Sequence, residues 1–217
     1  MVTLQLHQLE IPPGQRLVIR GLDWTDFDAI LTELGEKRGS RIAYVDGVLE
    51  IRMPLPKHER LKSILSDIVK LLLEELGIDC ECFGSSTFKN QKMDCGVEPD
   101  DCFYIQNYRQ VIGKDRFDLT IDPPPDLVLE VDVTSKTQLE AYIRLGVPEL
   151  WVYADGELQI YLLRNGVYQP VGESPISPGL PVKVWVQDVL NNSAQMGRSQ
   201  ALRTLRQTIR QHLAQTD

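Results

Sequence analysis

Pro125-Asp126-Leu127-Val128-Leu129-Glu130-Val131-Asp132-Val133 is the stretch on which the reading of this chain turns. A proline-acid pair opens a run rich in β-branched and apolar residues, the signature of a buried strand. Side chains alternate across a strand. Leu127, Leu129, Val131 and Val133 therefore share one face, and Val128, Glu130 and Asp132 the other. Glu130 lies in the middle of this apolar run, where an unpaired carboxylate is costly to bury. Two explanations are open: an ion pair with a nearby Lys or Arg, or a metal ion shared with acids of an adjacent strand. Converging carboxylates repel each other, and a hard divalent cation with a preference for oxygen resolves that repulsion.

A second proline-acid pair precedes it. Glu98-Pro99-Asp100-Asp101 leads into Cys102-Phe103-Tyr104-Ile105, so strands are expected over 98–105 and 126–134, with another over 79–89. Downstream, a helix over 137–145 stops at Gly146. Strand residues on either side of Asp155-Gly156 form a hairpin, and short strands follow near Tyr168 and over 182–186. The stretch 172–181 reads as a loop. Upstream, Thr25 and Asp28 suggest a capped helix start, with Phe27, Ile30, Leu31 and Leu34 on one face. A hairpin about Asp46-Gly47 follows, then a helix over 58–76 striped by Leu61, Ile64, Leu65, Ile68, Leu72 and Leu76. Helices interleaved with strands predict a mixed α/β (α+β) sheet flanked by helices.

The 217 residues, 42% hydrophobic and 25% charged, are ordinary for one α/β domain with a short appendage. The division expected is 1–190 for the domain and 191–217 for a C-terminal helix. Arg198, Arg203, Arg206 and Arg210 accompany Leu202, Leu205, Ile209 and Leu213 at helical spacing there, making the tail amphipathic and basic. Packing against its own domain or a second subunit, or contact with a nucleic-acid backbone, would each use that pattern. No apolar run is long enough to span a membrane. The first fifteen residues lack a basic segment followed by an apolar one, so a cytoplasmic protein is expected. Cys80, Cys82, Cys95 and Cys102 have no zinc-type spacing and read as reduced thiols. The net charge of −8 argues against broad, non-specific nucleic-acid binding. No glycine-rich phosphate loop follows any strand.

The runs 97–105 and 125–135, with Tyr142-Ile143-Arg144-Leu145-Gly146-Val147-Pro148-Glu149-Leu150-Trp151, resemble the Uma2 family (DUF820) of the PD-(D/E)XK nuclease superfamily, in its cyanobacterial form. The hairpin at Asp46-Gly47 and the later His58 also fit, so the resemblance spans about residues 23–190. It implies a restriction-endonuclease-like mixed β-sheet flanked by helices, with an extra N-terminal hairpin and a C-terminal helix. It implies an endonuclease that hydrolyses DNA phosphodiester bonds with Mg²⁺ or Mn²⁺, often as a homodimer. Asp100 and Glu130 become the metal ligands, Glu50 and His58 accessory groups, and Asp126 a residue of the strand entry or of the metal's surroundings. The superfamily's lysine falls two residues after the glutamate, where this chain has Asp132. The resemblance then offers Lys136 or Gln138 for that role, with Lys89 and Lys92 as other sources. Loss of the lysine would instead leave a degenerate nuclease fold that binds nucleic acid or a protein partner. A third reading is hydrolysis of some other phosphoester.

Overall fold

A computed structural model describes residues 6–35, 38–132 and 138–216. The expected mixed α+β fold is present, built on two sheets. The first holds β1 (Arg16–Arg20), β2 (Arg41–Val45), β3 (Val48–Arg52), β5 (Phe88–Asn90) and β6 (Cys95–Val97), in the order β1-β3-β2-β6-β5. The second holds β4 (Glu81–Cys82), β7 (Asp101–Tyr104), β8 (Leu127–Asp132), β9 (Glu149–Ala154), β10 (Glu157–Arg164) and β11 (Val167–Val171), in the order β11-β10-β9-β8-β7-β4. Six α-helices accompany them among the described residues: α1 (Trp24–Leu34), α2 (Pro56–Glu75), the single-turn α3 (Tyr108–Val111), α4 (Leu139–Leu145), α5 (Val182–Met196) and α6 (Arg198–Thr216). Every described strand pair is antiparallel except β8 and β9. A parallel pair needs a crossover, and α4 lies within the one that joins β8 to β9.

The alternation read in 127–132 sorts the core into two layers. Leu127, Leu129 and Val131 meet Trp151, Ile160 and the apolar faces of α2, α5 and α6. Val128 meets Leu150 and Val152 on the opposite face, together with Tyr142 of α4 and Ala43, Phe88, Cys95 and Val97 of the first sheet. The two sheets therefore enclose a common layer. A third cluster, Phe27 with Ile42, Tyr44, Leu49 and Ile51, fills the far side of the first sheet beneath α1. The Asp46-Gly47 hairpin is present, with both turn residues at positive φ (47° and 75°), as a twist-compatible two-residue turn requires.

Several local expectations are corrected. The cap of α1 is Asp23, not Thr25. Its carboxylate accepts the Asp26 N–H at 2.8 Å, and Asp26 returns the bond to the Asp23 N–H at 3.1 Å. Starting there brings Trp24 edge-on to Tyr44, with ring centroids 6.0 Å apart. The strand expected over 79–89 is split: β4 joins one sheet and β5 the other, with Gly84 at φ 57° between them. Residues 182–186 are helical, not a strand. Val182, Trp185, Val186, Val189 and Leu190 are all buried at helical spacing, and that period outweighs the β preference of the valines.

The basic tail packs on its own chain. Ala201, Leu205 and Ile209 of α6 are buried in the main core. Three of its four arginines pair with acids of α2: Arg198 with Asp67, Arg206 with Glu74 and Glu75 at 3.0 Å, and Arg210 with Glu75 at 2.6 Å. None of the described helices is long and apolar enough to cross a membrane.

Candidate active site

The Pro99 bend delivers Asp100 to the mouth of β7, where it is 2% exposed. Its Oδ2 accepts two bonds, from the Val131 N–H of β8 at 2.8 Å and from His58 Nε2 at 2.9 Å. His58 stands in the first turn of α2, whose start Pro56 favours. Glu130 projects from β8 into the layer between the sheets and is 1% exposed. The Tyr142 hydroxyl of α4 donates to its Oε1, while its Oε2 is buried with no hydrogen-bond partner among the described residues. Opposite, β3 contributes Glu50 and Arg52, two residues apart and so on one face. Glu50 Oε2 accepts from Arg16 Nη1 at 2.9 Å and from Gln138 Nε2 at 3.3 Å. Arg52 Nε lies 3.7 Å from Glu50 Oε1.

The electrostatics of this cluster are uneven. Burial pushes the Asp100 carboxyl up, but the His58 bond and charge, Arg52 and the Val131 N–H outweigh it and hold it below the usual carboxylate range. Burial also raises Glu130, and here the charge of Asp100 adds to it. Arg52 and the Tyr142 hydroxyl do not offset the two, so Glu130 stands well above its ordinary value. His58 is raised: burial opposes its charge, and the Asp100 bond more than compensates. Arg52 is likewise held charged by Glu130, Asp100 and Glu50 against the cost of its burial. The cluster thus has one ionised carboxylate held by a network and one that resists ionisation beside it, an asymmetry found where acid-base or metal chemistry is done.

The residues singled out from the sequence fare differently. Asp100, Glu130, His58, Glu50 and Gln138 come together around the space between the sheets. Asp132, half-buried at the end of β8, acts on Glu130 through its charge. Lys136 lies outside the described residues. Lys89 is engaged by Asp28 of α1. Asp126 serves the turn after β7: its Oδ2 accepts the N–H groups of Ile105, Gln106 and Asn107 at 2.6, 2.9 and 3.2 Å, and its Oδ1 accepts from Asn107 Nδ2 at 3.3 Å. Asp126→Ala strips three half-buried amides of their acceptor, and about 2–4 kcal/mol of stability goes with it. Its midpoint in urea falls accordingly; an unchanged midpoint would show that water replaces the carboxylate at no cost.

Arg52 is the member that the sequence reading missed. The sequence offers Lys136 after Glu130 and Lys89 and Lys92 before Asp100 as the cation, whereas this one arrives from β3, earlier than all of them. The available sign was its alternation with Glu50 on a strand beside a hairpin.

A divalent ion fits this donor set. Glu130 offers a buried carboxylate oxygen with no hydrogen-bond partner among the described residues, next to a second carboxylate that is held ionised. Among the described residues no group of three or more His, Cys, Asp or Glu side chains is gathered as a metal cage. Two carboxylates suffice for Mg²⁺, which commonly keeps several waters. The thiols are elsewhere engaged: burial pushes Cys95 up to about 12 and Cys82 up to about 11, so neither is a ready thiolate ligand.

The family model Uma2, described as "Putative restriction endonuclease", matches residues 24–188. Among solved structures, the chain is similar to one described as "a putative nuclease belonging to DUF820" from Anabaena variabilis. The identity is 14%, the TM-score 0.54, and the match covers 76% of this chain and 99% of that one. At that identity the likeness is one of fold. No curated protein matches the chain.

Proposed function

Because the chain belongs to the Uma2 family, we propose that it is a Mg²⁺- or Mn²⁺-dependent endonuclease whose Asp100–Glu130 pair hydrolyses phosphodiester bonds of DNA. The observation that carries this reading is the buried Glu130, whose Oε2 has no hydrogen-bond partner among the described residues, beside an ionised Asp100. A soluble core gains nothing from that arrangement, whereas an ion-binding site needs it. Asp100 and Glu130 would hold the ion. Bound there, it would lower the pKa of water and counter the charge that builds on the phosphate.

The chain's own groups do the positioning. His58 and the Val131 N–H fix Asp100, and Tyr142 fixes Glu130. Arg52 presents a guanidinium that cannot lose its charge, suited to a phosphate oxygen and to the position that a lysine fills in the superfamily. Lys136 and Gln138 stand in the same proposal as groups that orient the attacking water. A single pair of carboxylates cuts one strand at a time, so cleavage of both strands would take a homodimer. A cytoplasmic setting belongs to this proposal too.

Asp132 in the lysine's position favours a second reading, a degenerate module that binds without cutting. Calorimetric titration of Mn²⁺ followed by incubation with supercoiled DNA separates the two. The nuclease reading expects one ion bound and nicked circles, both absent in Asp100→Ala and Glu130→Ala. No ion uptake at millimolar Mn²⁺ would leave the binding module.

A further inference from the structure

The first sheet carries an arginine row. Arg16 of β1 lies opposite Arg52 of β3, and Arg52 lies opposite Arg41 of β2, so three arginines stand side by side on one face. Arg20, four residues along β1, shares that face. Like charges directly opposite each other destabilise a sheet. Across these three strands the face holds four arginines and one acid, Glu50, a local balance of +3 in a chain of net charge −8. The row is partly compensated from within: Arg16 and Arg52 by Glu50, and Arg41 by Glu59 at 3.8 Å. The side chain of Arg20 has no ion-pair partner among the described residues.

This face is open. A cleft of about 340 Å³ runs over it, floored by Val18 and Val48, rimmed by Arg16 and Arg20, and bordered on the other side by Glu50, Gln138 and Glu140, of which Glu50 is paired with Arg16 and Glu140 with Arg144 at 3.0 Å. Glu50 and Gln138 bond each other at the border of the Asp100–Glu130 cluster. A half-apolar floor between arginines, continuous with a carboxylate site, matches a sugar-phosphate strand: phosphates for the guanidinium groups, sugar edges for the valines. From Arg16 to Arg20 the strand rises about 13 Å, roughly the axial rise of four nucleotides of one strand.

We propose that this cleft is the entry groove for the nucleic-acid backbone, with Arg20 and Arg16 on β1 binding phosphates that flank the scissile one. The inference rests on the nuclease reading and names where its substrate docks. Both residues act through phosphate contact, so they set affinity and salt dependence, not base preference.

Fluorescence anisotropy of a labelled 20-mer, single-stranded and duplex in separate arms, tests this in EDTA, where no cleavage occurs. In Arg16→Ala/Arg20→Ala the dissociation constant rises at least tenfold. The slope of log affinity against log salt falls by about 0.7 per lost contact for single strands, or about 0.9 for duplex. Arg20→Ala alone shows half of that drop without touching the Arg16–Glu50 pair, and Arg20→Lys restores most of it. Arg206→Ala, on the ion-paired α6, leaves both quantities unchanged. A double variant with wild-type affinity and slope, or a wild type that binds neither oligonucleotide, overturns the groove. Binding that follows this pattern in a protein that never nicks DNA with Mn²⁺ keeps the groove and removes the nuclease.

Discussion

Glu130→Gln abolishes divalent-ion binding and lowers cleavage by about 10³-fold or more, while making the ion-free protein more stable. The side chain keeps its shape and its acceptor for Tyr142, so the packing between the sheets survives. What disappears is a carboxyl buried beside Asp100, one oxygen of which has no hydrogen-bond partner among the described residues. Attraction to Arg52 does not offset that burden, since burial and Asp100 together keep Glu130 well above its ordinary pKa. Relief of about 1–3 kcal/mol is expected, the scale found when unfavourable buried charges are replaced. In a chain of this length that raises the melting temperature by about 2–4 °C per kcal/mol. Thermal melts in EDTA check the gain, and Mn²⁺ calorimetry checks the loss. A destabilised variant would show that Glu130 is a structural partner of Arg52. The gain is specific to Glu130: Asp100→Asn removes the charge that His58 and the Val131 N–H are arranged around, and it destabilises the fold.

Ending the chain after Gly197 leaves a protein without a cooperative melt. Helix α6 buries Ala201, Leu205 and Ile209 at 1%, 4% and 0% exposure against α2 and α5. Truncating a buried Leu or Ile costs about 2–5 kcal/mol each, so losing the helix removes much of the about 5–15 kcal/mol that holds a typical domain. Point variants separate packing from charge. Ile209→Ala costs about 2–5 kcal/mol, whereas Arg210→Ala, which breaks only an exposed pair with Glu75, costs at most about 1 kcal/mol. Denaturant midpoints of the two variants decide it. The reverse order, or a truncated chain that melts like the full one, would place the weight of this contact on its ion pairs or remove it altogether.

These two results bear on different layers of the same reading. In sequence the amphipathic, basic pattern of helix α6 suits packing on its own domain or a second subunit as well as contact with a nucleic-acid backbone. The acids that meet its arginines belong to α2, more than a hundred residues earlier, and nothing local announces such a pairing. Arg52 likewise meets Glu130 across 78 residues of chain, a pairing that nothing local to either announces.

By itself the sequence determined the alternation of Leu127 to Asp132, the hairpin at Asp46-Gly47, the stripe of α2 and the oddity of Glu130. Each of these is local: a period of two, a turn that needs positive φ, a period near 3.6, a charge in an apolar run. The division of the strands into two sheets was decided only by the tertiary structure, because strand pairing depends on partners that no window of sequence contains. So was the state of the carboxylates. Asp100 and Glu130 are the same chemistry in sequence, but His58 and the Val131 N–H hold one ionised while burial beside it resists ionisation of the other. Burial and hydrogen bonding set that difference, and both exist only once β3, α2, β8 and α4 have closed around the pair.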